Sequence, residues 1–127
     1  MIGYLLGQAF SVDDAGVVTI MVDGVGYDVA TSQEPLIGPS VGLFIHTHVT
    51  DDAIALYGFE SELRRSHFRK MISIAGVGPR SAMAVLRSMS HDEMARALKA
   101  SDTKAFAAVV GIGKTTAQRI IEALRDV

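Results

Sequence analysis

Two stretches of the chain read alike: Ala75-Gly76-Val77-Gly78-Pro79-Arg80-Ser81-Ala82 and Val110-Gly111-Ile112-Gly113-Lys114-Thr115-Thr116-Ala117, set 35 residues apart. Each places a Gly-x-Gly between a helix-like stretch and an amphipathic one. Such a turn can present bare backbone N–H groups at a helix N-terminus, where the unpaired amides and the helix dipole favour phosphate. The glycines permit tight backbone geometry and close approach. The residues just beyond can add side-chain contacts: Arg80 and Ser81 in the first copy; Lys114, Thr115 and Arg119 in the second. One copy would fit a plain helix–helix turn equally well. Two copies with matching flanks point to a paired phosphate grip, and two grips suit a nucleic-acid backbone. Contacts of this kind set position rather than base sequence, and their affinity falls steeply with salt.

Other constellations carry less. Gly113-Lys114-Thr115 ends like a P-loop, but Ala108 stands where that motif needs its first glycine. His46 and His48 alternate along a predicted strand and face one side, yet no third ligand has suitable spacing, so a surface or core pair is expected and no metal site. His67 and His91 fall on helices with nothing to recruit them. No nucleophile–base pair is present, and no cofactor is implied. A repair glycosylase would need a catalytic Asp or Lys in a base-sized pocket, for which a barrel and short helices leave little room. A structural adaptor that never touches DNA is a third reading.

The elements that must hold these motifs divide the chain in two. Residues 1–62 contain nine acids and no Lys or Arg, a net charge of -9, whereas residues 63–127 contain five acids and all twelve basic residues, a net charge of +7. The overall -2 hides this division, and distribution matters more than the total for a polyanionic partner. An apolar content of 49% supports a folded core, and no apolar run reaches the length of a membrane span. The N-terminus lacks the basic region of a signal peptide, and the absence of cysteine fits a cytoplasmic protein.

Residues 1–62 read as five strands: Ile2–Ala9, Val17–Val22, Gly26–Ala30, Val41–Val49 and Ala53–Phe59, with a turn at Asp23-Gly24 and a loop marked by Pro35, Gly38 and Pro39. Five short strands with little helix suggest an oligonucleotide/oligosaccharide-binding (OB) barrel. Residues 63–127 read as helices. Leu63, His67, Met71 and Ile74 recur at helical spacing, and Pro79 suits a first turn. Ser90 and Glu93 form a capping box, Ser101 or Asp102 caps a short helix through Phe106 and Val109, and Ala117, Ile120, Ile121 and Leu124 form the last stripe. The fold class is therefore two small domains, all-β then all-α, the second with two helix–hairpin–helix motifs.

The opening Met1-Ile2-Gly3-Tyr4-Leu5, then Asp23-Gly24-Val25-Gly26-Tyr27, Leu56-Tyr57-Gly58-Phe59 and the two Gly-x-Gly hairpins occur in one order. That ordered set resembles the RuvA family of bacterial Holliday-junction branch-migration proteins over essentially the whole chain. The resemblance implies a homotetramer or octamer with OB domains at its centre. Its paired hairpins would hold the arms of four-way junction DNA. Its partners would be a RuvB-type ATPase, which docks on a C-terminal domain missing here, and a RuvC-type resolvase. The chain is therefore expected to be a truncated or a naturally short member. The resemblance also implies a central acidic pin, whose role falls to Asp51 and Asp52; carboxylates there would repel phosphates at the crossover. The barrel, without basic residues, is expected to serve assembly and the pin rather than strand capture. Two positions depart from the family pattern. Val110 replaces a frequent proline and is expected to loosen the second hairpin slightly, and Thr50 replaces a basic residue beside the pin.

Overall fold

A computed structural model describes residues 1–34 and 37–127. Pro35, one of the expected loop markers, lies outside the described residues. Five strands, β1 (Tyr4–Val12), β2 (Val17–Val22), β3 (Val25–Thr31), β4 (Gly38–Val49) and β5 (Ile54–Phe59), precede five helices, α1 (Glu62–Ile72), α2 (Pro79–Ser88), α3 (His91–Lys99), α4 (Thr103–Ala107) and α5 (Lys114–Leu124). Contacts divide the chain into two compact units, Met1–Arg65 and Ser66–Val127.

The first unit is a closed barrel with strand order β1-β2-β3-β5-β4. All pairings are antiparallel except β3 with β5. This is the OB arrangement. The alternation of β-branched and apolar residues builds it: Leu5, Ala9, Val18, Ile20, Val29, Leu43 and Ile45 fill the interior. β1 borders both β2 and β4, and its register slips near Ala9 on each side. Such bulges bend a strand enough to close a barrel, and here they carry β1 to Val12 rather than ending it at Ala9. Gly38 and Pro39, expected in a loop, instead open β4, with Gly38 paired to Ala9. A proline is tolerated there because the start of a strand need not donate to the ladder.

Arg64 and Arg65, counted with the basic half by sequence, belong to the barrel unit. Arg64 is buried, and its Nε lies 3.2 Å from Glu60 Oε1. Burial pulls its pKa down from the ordinary value, and Glu60 partly offsets this. Arg65 donates to the carbonyls of Gly3 (2.7 Å) and Ile45 (3.3 Å) and lies over the Phe44 ring at 5.5 Å. Neither is a spare surface cation.

In the second unit α2, α3 and α5 each bury an apolar stripe, α4 packs against α5, and Phe106 of α4 is fully buried. The α1 stripe stops earlier than its spacing suggests: the helix ends at Ile72, and Ile74 is the first residue of the hairpin turn. Likewise α4 ends at Ala107, leaving Val109 to open the second hairpin. Asp102, not Ser101, caps α4, accepting from the Ala105 N–H at 3.2 Å; Ser101 sits at φ +51.

The capping box on α3 is complete. Ser90 Oγ accepts the Glu93 N–H at 3.1 Å, and Glu93 Oε1 accepts the Ser90 N–H at 3.0 Å. That backbone hydrogen bond, followed by the Ser90 side chain, holds the Glu93 carboxyl below its usual range. Because the folded pKa is depressed, the contribution is present above the unfolded value and is lost as pH falls through the folded one. Ser90→Ala is expected to cost about 1 kcal/mol in thermal unfolding at neutral pH. Glu93→Gln is expected to flatten the acid side of the stability profile; an unaltered profile would remove Glu93 from the balance.

Candidate nucleic-acid interface

The two Gly-x-Gly sequences fold into the same turn. In the first, the Val77 N–H donates to the Ile74 carbonyl at 3.0 Å, with Gly76 at φ +87; in the second, the Ile112 N–H donates to Val109 at 3.1 Å, with Gly111 at φ +89. A positive φ at the third position of a hydrogen-bonded four-residue turn marks type II, and it accounts for glycine there. The middle residues Val77 and Ile112 are buried and pin each turn to the core. The second hairpin closes as the first does, with Val110 in place of the proline.

Gly78 and Gly113 are different. They are the N-caps of α2 and α5, with φ -95, ψ 177 and φ -83, ψ 173, values open to any residue. A Cβ on either would meet nothing within 4 Å. Neither backbone geometry nor packing inside the protein asks for glycine at these two positions. What glycine does is leave the helix ends uncapped. Ser61 accepts from the Arg64 N–H in the first turn of α1, Ser90 caps α3 and Asp102 caps α4, but α2 and α5 have no side-chain cap. The first intrahelical bonds run from Ala82 to Gly78 (3.0 Å) and from Ala117 to Gly113 (2.8 Å). The amides before them lack intrahelical partners. In α2 these are Arg80 and Ser81, since Pro79 has no N–H; in α5 they are Lys114, Thr115 and Thr116.

The side chains singled out by sequence gather at these ends. Arg80, Lys114, Thr115 and Arg119 are exposed, and Ser81 is half-buried. Arg119 follows Thr115 by one helical turn and shares its face. The two hairpins lie side by side, since a Cβ on Gly111 would sit 3.9 Å from Ser81 Oγ. Sequence reasoning missed Thr116, whose contribution is a backbone N–H and so carries no residue-type signal. The segment before Gly111 is helix α4, not the strand a P-loop requires.

Asp51 and Asp52 occupy the tip of the β4–β5 hairpin. The Thr50 N–H donates to the Ala53 carbonyl at 2.9 Å beneath them. Both aspartates are exposed, and neither makes an ion pair or hydrogen bond among the described residues. The tip is an unneutralised double negative charge. His46 and His48 do share a face, with ring centroids 6.0 Å apart and His48 edge-on to Tyr57 at 6.3 Å. No group of three or more His, Cys, Asp or Glu suited to a metal ion occurs among the described residues. No helix among them is long and apolar enough to cross a membrane.

Barrel and hairpins together define a class: an OB barrel followed by a tandem helix–hairpin–helix domain. Residues 1–58 match the RuvA N terminal domain family, and residues 68–126 match the SAM-like helix-hairpin-helix tandem family. Three proteins named Holliday junction branch migration complex subunit RuvA are similar along the chain. The protein from Legionella pneumophila strain Philadelphia 1 is 41% identical over 99% of this chain and 66% of its own length. That from Chromobacterium violaceum is 42% identical over 98% and 66%, and that from Pseudomonas fluorescens Pf-5 is 44% identical over 83% and 54%. The chain belongs to the RuvA family. It spans about two thirds of the length of the first of these relatives.

Proposed function

We propose that the chain is a non-catalytic, structure-specific subunit that binds four-way DNA junctions without regard to base sequence and holds them open for branch migration. The observation that carries this is the contrast among helix ends: three are capped by side chains, while the two that follow Gly-x-Gly turns are left bare, side by side and flanked by exposed Arg80 and Lys114. Bare, adjacent helix N-termini suit successive phosphates of one backbone. The relatives' shared name supplies the junction.

On this reading residues 63–127 are the DNA-binding domain. Residues 1–62 assemble four copies, or eight, around the acidic tip. The motor is a separate RuvB-type ATPase, and a RuvC-type resolvase would act on the same junction. The test is a gel-shift titration of a four-way junction against a linear duplex of equal length over a range of salt. Junction binding that survives salt sufficient to remove the duplex supports the reading. Equal binding to both reduces the chain to a general helix–hairpin–helix duplex binder.

Side-chain phosphate contacts carry their own signature. Arg80→Ala and Lys114→Ala are each expected to weaken binding at all DNA sequences alike. Each should make the slope of log K against log salt shallower by about 0.9, one phosphate contact. An unchanged slope would remove that residue from the backbone contact.

A further inference from the structure

Among the described residues Val110, 94% exposed, is the most exposed large apolar side chain after Met1, yet it is not on a loose tail. It occupies the second position of the turn closed by the hydrogen bond from Ile112 to Val109, between Val109 and the left-handed Gly111. Buried Ile112 anchors the same turn, so the isopropyl group is held outward at the lip of the second hairpin. Four residues on in the chain begin the uncapped amides of α5, and Ser81 of the first hairpin lies close to Gly111. Its counterpart in the first hairpin, Ala75, is also exposed and also apolar.

A single exposed valine is unremarkable on most surfaces. Here its surroundings are donors and cations suited to phosphate, and an isopropyl group can bond none of them. The apolar surface that accompanies phosphate in a nucleic-acid backbone is the carbon face of the sugar. Resting on the phosphate-grip reading above, we propose that Val110 packs on a deoxyribose of the DNA backbone and acts as a positioning residue for the second hairpin. A hairpin that holds a phosphate by its amides brings the adjoining sugar against the residue preceding Gly111. The contact is independent of base identity, as the rest of the grip is. It also differs from the rest in kind, because it neutralises no charge and releases no counterion.

That difference makes it testable. Val110→Ser keeps the size class and the exposed position but removes the apolar surface. Val110→Pro keeps an apolar cover and presets the backbone for the second position of a type II turn. Both are titrated by fluorescence anisotropy against a labelled four-way junction and a duplex at several salt concentrations, beside Lys114→Ala and the parent chain. Withdrawing an isopropyl group's apolar surface from water predicts that Val110→Ser weakens binding roughly three- to tenfold at every salt concentration with an unchanged slope. Val110→Pro should bind as the parent does. Parent-like binding by Val110→Ser overturns the proposal, as does a shallower slope, which would mean a disturbed phosphate contact instead. Loss of binding in both variants with unaltered thermal unfolding also overturns it, since an apolar cover would then not suffice. If the parent itself fails to bind at low salt, it is the phosphate-grip reading that falls.

Discussion

Replacing Gly78 and Gly113 together by aspartate is expected to abolish DNA binding while leaving the protein as stable as before, or slightly more so. Both positions have ordinary extended backbone angles and empty space where a side chain would go. Aspartate is among the preferred N-caps and exceeds glycine there by a few tenths of a kcal/mol. Its carboxylate would accept the amides of Ser81 or Arg80 in α2, and of Thr116 or Thr115 in α5. Those are the donors assigned to phosphate, and a negative charge would now stand in the phosphate's place. Hydrogen bonds to charged groups contribute about 1.5–3 kcal/mol each. Losing even one from each hairpin is a loss of at least about a hundredfold in affinity. The measurements are thermal unfolding and junction affinity on the same preparation. Affinity within a few-fold of the parent would remove the helix ends from the interface. The same substitution at Gly76 or Gly111 should behave differently. Their φ values near +90 place a side chain in the left-handed region, so stability and binding would fall together.

The contrast between these glycine pairs shows what could be read in advance and what could not. The repeated phrase announced two hairpins, and their positions, the proline at the start of α2 and the serine cap of α3 were all legible, because each follows from local backbone chemistry. The five strands were legible for the same reason, with alternation and Asp23-Gly24 setting their spacing. The end of β1 and the start of β4 were not, since a bulge near Ala9 and the pairing of Gly38 depend on barrel closure rather than on local sequence. Nor could sequence separate the roles of the two glycines in each Gly-x-Gly. One is needed for the turn and the other is needed by nothing in the protein, a distinction that takes backbone angles and surrounding space to see. The charge division was legible in outline and misleading in detail, because Arg64 and Arg65 are consumed by the barrel unit. A census of cations cannot reveal which have already found partners.

Asp51→Asn with Asp52→Asn is expected to tighten junction binding and to make strand separation at the crossover less complete. The argument rests on what does not neutralise these carboxylates. They project from a two-residue hairpin tip with no cation or donor among the described residues, and the position before them is Thr50. Two unit charges about 8 Å apart at an effective dielectric near 20 interact by roughly 2 kcal/mol. If the tip faces backbone phosphates in the assembled complex, removing the charges should raise affinity on the order of tenfold at low salt. The gain should shrink as salt screens the repulsion. Asparagine keeps size and hydrogen-bonding capacity, and both side chains are exposed, so the barrel should unfold at the same temperature. The readouts are junction affinity across salt and 2-aminopurine fluorescence at the crossover, which rises as bases unstack. Linear duplex binding serves as the control, because a duplex gripped only by the hairpins should not sense the tip. If junction and duplex affinities both match the parent, the tip is an ordinary solvated turn. If both tighten equally, the carboxylates act through net charge alone. Tightening confined to the junction, together with lower crossover fluorescence, would place the negative tip at the point where the strands exchange.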